Sequence, residues 1–163
     1  MPTTASEQAS GRSQALARIL SGAYVLTLKH PDGGFQAVLL SFVQQVGLEP
    51  PRIIAALGKE RPIVETLERA GRFVLNVCAE DARGLLARLV EASQDPMRVL
   101  RDVGGHELDA GWVVDSAAAY LVCKVVERVD IGDHWLYIAD VDDGTAPEGR
   151  APLVHIRRSG LRY

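Results

Sequence analysis

Short β-like segments separated by proline and glycine turns are the feature that most constrains this fold. Residues 24–28 are rich in β-branched and aromatic side chains, and a Pro-Asp-Gly turn at 31–33 separates them from a similar segment at 35–43. Proline presets φ and glycine adopts a positive φ, so the sequence predicts a hairpin over 24–43. Further strands are predicted at 52–57, 72–78, 118–129, 133–141 and 152–158. Segments joined by short turns favour antiparallel pairing.

Helical spacing is confined to short stretches between these strands. Apolar side chains recur at helical spacing over 13–21 and 60–70, with Pro62 in the first turn of the second segment, where a missing N–H costs little. Asp81 can cap a third helix, whose apolar side chains would be Leu85, Leu86, Leu89 and Val90.

The remaining segments predict the overall architecture. Residues 94–116 are expected to cross the surface as a mixed segment, the chain is expected to break at 46–51, and 142–150 should form a loop. Six or seven strands with two or three inserted helices favour a mainly β fold with peripheral helices. A small closed barrel fits this pattern better than a βαβ unit.

Length and composition exclude several classes of protein. A chain of 163 residues fits one domain, here 13–163, after a polar flexible N-terminal arm at 1–12. A net charge of −3 argues against a nucleic-acid partner. Because no apolar run approaches the ~18 residues of a membrane span, no membrane association is expected. No secretory signal is visible at the N-terminus, so a cytoplasmic protein is expected.

Most motifs of enzyme chemistry are missing from the sequence. Cys78 and Cys123 lie far apart without CxxC partners, so both are expected to be buried, reduced thiols. The four histidines are scattered, and no metal site is predicted. The sequence contains no GxGxxG, GxxxxGK[ST], HExxH or GxSxG motif.

Three segments together resemble one known family. Residues 35–51 contain a strand, a loop and a Pro-Pro pair, and residues 56–63 are followed by a Gly-Arg-Phe-Val-Leu-Asn strand at 71–76. The third segment runs from 119 to the C-terminus and contains Gly-Asp-His at 132–134. Their order resembles the flavin-reductase-like family with an FMN-binding split barrel. The nearest subgroup is the flavin reductase domain at the C-terminus of cyanobacterial diflavin flavoproteins, and the resemblance covers residues 15–163.

This resemblance implies a split β-barrel and a homodimer that binds FMN at the subunit interface. It implies reduction of flavin by NADH or NADPH, or electron transfer to a redox partner protein. The residues that it places against the flavin are Leu39, Leu40, Ser41, Phe42, Val46, Gly47 and Leu48.

Two of these positions differ from the family pattern. The Ser41 hydroxyl could bond the phosphate or the ribityl chain. Leu40 stands where a small residue is usual, and Gly47, which replaces a serine, would let backbone approach the isoalloxazine edge. The same segment is also compatible with an ordinary apolar strand and turn.

Basic residues precede the predicted helix at 60–70. Lys59 and Arg61, next to Pro62, place positive charge where the start of a helix also offers oriented N–H donors. An arginine can bind two phosphate oxygens at once. With the resemblance, this segment is predicted to bind the flavin phosphate; without it, a solvated surface turn explains it equally well.

The Gly-Asp-His motif lies between two predicted strands. A hairpin tip there would direct His134 toward a neighbouring pocket, where it is the candidate catalytic residue as a hydrogen-bond donor to nicotinamide or reduced flavin. Asp133 could fix its tautomer or simply hold the turn. An exposed histidine in an aspartate turn is the alternative interpretation.

Four other residues are given no catalytic or flavin-binding role. Trp135 is expected to pack, and Asn76 to satisfy nearby backbone groups. His155 and Tyr163 match the family's C-terminal strand and tail without an assigned contact.

Three functions remain open at this stage. The first is an NAD(P)H:flavin oxidoreductase that uses FMN. The second is an FMN-binding electron carrier that does not oxidise NAD(P)H directly. The third, motivated by Leu40 and Gly47, is a degenerate split-barrel module for another ligand such as haem.

Overall fold

The computed structural model describes residues 11–158. Its helices are α1 (Gly11–Leu16), α2 (Ile63–Ala70), α3 (Arg83–Glu91) and α4 (Pro96–Val103). Its strands are β1 (Ser21–Gly22), β2 (Tyr24–Lys29), β3 (Phe35–Leu40), β4 (Val43–Leu48), β5 (Pro51–Gly58), β6 (Arg72–Val77), β7 (Gly105–Leu108), β8 (Gly111–Val114), β9 (Ala119–Asp130), β10 (His134–Thr145) and β11 (Val154–His155).

Seven of these strands form one antiparallel sheet in the order β3-β2-β6-β9-β10-β5-β4. Strands β3 and β4 lie at opposite edges of the sheet, yet only Ser41 and Phe42 separate them in the chain. Three peptide units span at most about 11 Å. The sheet must therefore curl until its edges are that close, which makes it a barrel. This confirms the predicted mainly β split barrel with peripheral helices.

The barrel interior is filled from both the strands and α2. Leu26 of β2, Phe73 of β6 and Tyr137 of β10 are almost completely buried in one cluster. Helix α2 adds Leu67 to this cluster, and Gly71 ends the helix with φ of 66°, a conformation that glycine adopts without strain.

A second layer covers the outer surface of β2 and β3, and it corrects the expectation for residues 94–116. This segment forms α4, β7 and β8 instead of crossing the surface without regular structure. Asp95 accepts a hydrogen bond from the Arg98 N–H at the start of α4, and Met97 and Leu100 are buried. The aspartate cap and Pro96 in the first turn start this helix, and its apolar face explains the burial.

Asn76 joins this outer layer to the barrel. Its side chain is 1% exposed, and its Nδ2 donates to the carbonyls of Val25 at 3.2 Å and Trp112 at 3.0 Å. Its Oδ1 accepts from the Val114 N–H at 2.8 Å. Asn76 does satisfy backbone groups, but two of the three lie on β8, not nearby in the chain.

The ends of several predicted helices differ from those observed. The helix expected at 13–21 is α1, which stops at Leu16 and leaves Ile19 and Leu20 exposed. Its first two residues, Gly11 and Arg12, belong to the predicted arm, whose other residues lie outside the described range. The Asp81 cap was wrong, because Ala82 occupies the N-cap of α3 and no side chain caps it.

The strand ends also differ. The predicted strand at 35–43 is interrupted at Ser41–Phe42, and β4 continues through half of the expected break at 46–51. Strand β10 extends to Thr145, into the predicted loop, because it keeps pairing with the long β9. The last predicted strand shortens to β11, which pairs with β1.

Both cysteines are buried and free. Burial raises the pKa of the Cys78 and Cys123 thiols to about 12, so neither carries a reactive thiolate at neutral pH. Between residues 11 and 158, no helix is long and apolar enough to cross a membrane.

Candidate functional site

Ser41 and Phe42, which join β3 to β4 and are called the link below, lie against the β9–β10 hairpin. The Phe42 ring meets the His134 imidazole edge to face, with ring centroids 5.7 Å apart. Strand pairing fixes this contact, because the Ala56 N–H donates to the Phe42 carbonyl and Gly58 of the same strand pairs with His134. Two motifs predicted separately from the sequence are thereby brought together.

Ser41 carries a buried hydroxyl without a partner. The residue is 7% exposed, and no group within residues 11–158 hydrogen-bonds its Oγ. Its backbone carbonyl accepts from the Val43 N–H at 3.1 Å, which holds the residue in place. An unsatisfied buried hydroxyl costs about 1–3 kcal/mol. The hydroxyl is therefore suited to a ligand that would offer it a partner.

His134 is oriented by its neighbour in the chain. Gly132, with φ of 108°, forms the hairpin tip, and the His134 Nδ1 lies 2.8 Å from an Asp133 carboxylate oxygen. The His134 side chain is only 20% exposed, whereas Asp133 is almost fully exposed. The hydrogen bond from His134, followed by the charge of the imidazolium, lowers the pKa of Asp133.

This pairing determines which proton His134 offers. An ionised carboxylate only accepts hydrogen bonds, so the Nδ1 of His134 must carry the proton. The neutral ring then accepts at Nε2, and it donates there only as an imidazolium. The expected donor role of His134 therefore requires the protonated ring.

The predicted cation Lys59 is already paired. Its Nζ lies 2.6 Å from an Asp130 oxygen and 4.4 Å from the centroid of the Trp135 ring. Arg128 lies over the same ring, and Trp135 packs against the barrel core, as expected. Neighbouring residues of a strand point to opposite faces, so Lys59 lies with Trp135 and not with the His134 side chain.

Arg61 keeps a more available charge. Its side chain is half exposed, and the Glu60 carboxylate is 4.0 Å away. Its backbone N–H donates to the Gly58 carbonyl, while Pro62 occupies the N-cap of α2 without a side-chain cap.

The two leucines predicted to contact the flavin point away from the link. Leu40 belongs to the barrel core, and Leu39 packs against the outer layer. Their backbone groups therefore remain available to a ligand. This also explains why a large side chain is tolerated at Leu40.

Strand β4 presents an exposed apolar edge next to a bulge. Val46 is 53% exposed and Leu48 is 80% exposed. A Cβ on Gly47 would lie 3.0 Å from the Pro50 carbonyl oxygen and 3.2 Å from the Arg52 Cβ. The tight β4–β5 turn thus favours glycine at this position without any ligand.

Arg157 is a site residue that the sequence analysis missed. Its guanidinium carbon lies 4.9 Å from the centroid of the Phe42 ring, and one terminal nitrogen donates to the Leu16 carbonyl at 3.2 Å. Nothing in its local sequence indicates this contact, because strand pairing between β1 and β11 brings the segment there. His155 lies on β11, and Tyr163 falls outside the described residues.

The outer face of β5 and β10 is apolar, and no helix within residues 11–158 packs extensively on it. Alternate residues of β10 face the core, so Leu136 and Ile138 face outward, paired with Ala56 and Ile54. The helices pack chiefly on β2, β3 and β6 instead.

Two cavities in the described part of the chain lie away from the candidate site. A cavity of about 400 Å³ lies between α3 and α4, and another of about 480 Å³ lies beside residues 152–154. Neither is lined by a predicted site residue. No cluster of three metal-ligating side chains is found within the described part of the chain.

Comparison with known proteins gives consistent similarities. A family model described as "Flavin reductase like domain" matches residues 16–161. A protein of Nostoc sp. strain PCC 7120 named as a diflavin flavoprotein (A 6) is 36% identical over 98% of this chain and 28% of its own. This chain therefore spans little more than a quarter of the length of that relative.

Two solved structures share the fold. The NADH:FAD oxidoreductase SgcE6 of Streptomyces globisporus superposes with a TM-score of 0.74 at 19% identity, covering 91% of this chain and 81% of its own. The styrene monooxygenase flavin reductase SMOB of Pseudomonas putida S12 gives a TM-score of 0.70 at 24% identity, covering 86% and 89%.

Proposed function

Because the chain belongs to the family of flavin reductase like domains, we propose that it binds FMN and transfers a hydride to it from NADH or NADPH. The observation that supports this most is the buried, unpartnered Ser41 hydroxyl beside the Phe42–His134 contact.

The residues around the link fit a flavin. The Ser41 hydroxyl and the backbone of the link are groups that bind ribityl and phosphate oxygens. The exposed side chains of Val46 and Leu48 offer an apolar surface for an aromatic ring system. Arg61 adds a nearby positive charge. When bound, FMN would supply the hydride-accepting ring; this chain's residues bind and orient the reactants.

His134 would orient the nicotinamide. With Nδ1 held by Asp133, the neutral imidazole accepts a hydrogen bond at Nε2, and the carboxamide N–H of nicotinamide is a suitable donor. Phe42 limits the rotation of the imidazole by packing against it. A correctly held reactant pair removes much of the orientational barrier to transfer.

The outer face of β5 and β10 supports a homodimer with flavin at the subunit interface. Four apolar side chains lie there, and the helices within residues 11–158 pack chiefly on β2, β3 and β6. A second subunit on this face would exclude water from these apolar side chains and from the flavin site. Because this chain covers 28% of its Nostoc relative, a redox partner protein remains part of the proposal.

A visible absorption spectrum after incubation with FMN and desalting tests the binding. Retained flavin supports the proposal, and a parallel incubation with FAD establishes which flavin is preferred. Anaerobic addition of NADH or NADPH should bleach the bound flavin. Bound FMN that neither nucleotide reduces would identify an electron carrier instead. Absence of both flavin retention and FMN-dependent NAD(P)H oxidation would overturn the proposal in favour of a module for another ligand.

Paired variants test the predicted phosphate contact. Replacing both Lys59 and Arg61 by Ala should weaken FMN retention. Ser116 is an exposed serine, so Ser116→Ala is the control for the effect of an exposed alanine substitution and of the desalting step. Unchanged FMN affinity would remove these two residues from the phosphate site.

A further inference from the structure

Arg157 carries a positive charge without an anionic partner. Within residues 11–158, no carboxylate lies within 4.0 Å of its guanidinium nitrogens. Its Nε is buried and has no hydrogen-bond acceptor in that range. The side chain is only partly buried, so water shields part of its charge, and the buried Nε is the donor that lacks a partner. This arginine is therefore suited to an anion that comes from outside the described chain.

Neighbouring cations do not share this property. Lys59 is paired with Asp130, and Arg128 with Glu68 at 3.0 Å. Arg157 instead contacts the Phe42 ring and the Leu16 carbonyl, which fix the plane of its guanidinium without neutralising it.

A second donor without an acceptor lies next to this contact. Ser41 precedes Phe42, and its buried Oγ also has no partner among the described residues. Two buried donor atoms near Phe42, the Arg157 Nε and the Ser41 Oγ, thus have no acceptor among residues 11–158. An oxyanion would satisfy both donors and the charge.

We propose that Arg157 and Ser41 form a site for a phosphate group of the flavin or of the pyridine nucleotide, an inference that rests on the proposed function. A guanidinium presents planar, parallel donors that match two phosphate oxygens. The contacts to Phe42 and Leu16 already orient the Arg157 guanidinium, so its side chain loses little conformational freedom when a phosphate binds.

Arg157→Gln is the variant that separates charge from anchoring, because glutamine keeps a donor for the Leu16 carbonyl. Arg72→Gln is the matched control, since Arg72 is paired with Asp142 at 3.4 Å and is about half exposed. Calorimetric titration of the full chain would use FMN, riboflavin, NADH and inorganic pyrophosphate. Riboflavin differs from FMN only in lacking the phosphate.

We expect Arg157→Gln to weaken FMN binding about 10- to 100-fold while leaving riboflavin binding unchanged. If the phosphate comes from the nucleotide, NADH and pyrophosphate would lose affinity instead of FMN, which also supports the site. Arg157→Lys keeps the charge but not the planar pair of guanidinium donors, so it should give an intermediate loss of affinity. It also provides a second variant if Arg157→Gln unfolds.

Several outcomes would overturn the inference. Equal losses for FMN and riboflavin would mean that Arg157 only supports the fold, and unchanged affinity for every probe would exclude a phosphate role. A shift from dimer to monomer without phosphate selectivity would assign the arginine to the interface. Failure to bind flavin, with Arg157-dependent pyrophosphate binding retained, would reject the proposed function and keep this site. Binding of none of the four probes would reject the site as well.

Discussion

Replacing Ser41 by Ala should change the stability of the free protein and its flavin affinity in opposite directions. The hydroxyl of Ser41 is buried and has no partner among residues 11–158, so its removal takes away a desolvation penalty. An unpaired buried hydroxyl costs about 1–3 kcal/mol, part of which is offset by the contacts that the oxygen atom makes. We expect the free protein to gain about 1 kcal/mol of unfolding free energy.

This gain corresponds to a measurable shift in melting temperature. Unfolding entropy of about 2.1 cal/mol/K for each of 163 residues gives about 0.34 kcal/mol/K. A stabilisation of about 1 kcal/mol then raises the Tm by about 3 °C. If the hydroxyl bonds the flavin, the same variant loses one hydrogen bond in the complex, which weakens FMN binding about 2- to 10-fold.

Scanning calorimetry with and without FMN measures both effects. The control is Thr27→Val, which removes a buried hydroxyl that accepts from the Trp112 N–H at 2.8 Å and donates to the Trp112 carbonyl at 2.7 Å. This control should lower the Tm, because it leaves the Trp112 N–H unsatisfied. A lower Tm for Ser41→Ala in the free protein would refute the reasoning, since it would show that the hydroxyl is already satisfied.

Three further predictions concern stability and assembly. Asn76→Leu should destabilise the chain by about 1–3 kcal/mol in urea titrations, because the buried Val114 N–H loses its acceptor; a cost below about 0.5 kcal/mol would contradict this role. The folded-state pKa of Cys123 is raised from 9.0 to about 12, so its contribution to stability is present below pH 9 and declines as the pH rises toward 12. Cys123→Ala should make the decline between pH 9 and 10.5 shallower in urea titrations, and an unchanged slope would count against it. Ile138→Asp should convert a dimer to a monomer in light scattering and reduce FMN retention; a dimer that persists would place the interface elsewhere.

The sequence predicts the strands better than their arrangement. Alternating and β-branched residues identified β2, β5 and β6 within a residue or two, because these patterns are local. The segment 94–116 was misjudged because its glycines suggested a surface segment, whereas the apolar face of α4 becomes buried only against β3.

For the candidate site, too, local sequence patterns do not predict which residues come together. Motifs in the sequence indicated Ser41, Phe42 and His134 as candidates, but their proximity depends on closure of the sheet. The Asp130 partner of Lys59 and the contact of Arg157 with Phe42 join residues about 70 and 115 positions apart, which no local pattern indicates. Charge in the sequence therefore identified Lys59 and Arg61 as candidates for the phosphate, but it did not show that Lys59 is paired with Asp130.

The link at Ser41–Phe42 has a consequence for the motions of the backbone. Strands β3 and β4 each have a strand partner on one side only within the described chain. The unpaired edges of these two strands form a seam, where the barrel can open transiently. Amide protons facing this seam should exchange with deuterium faster than those of the central strands β6 and β9. A ligand held across the link would slow that exchange, so occupancy of the site would be visible in the backbone even for a colourless analogue.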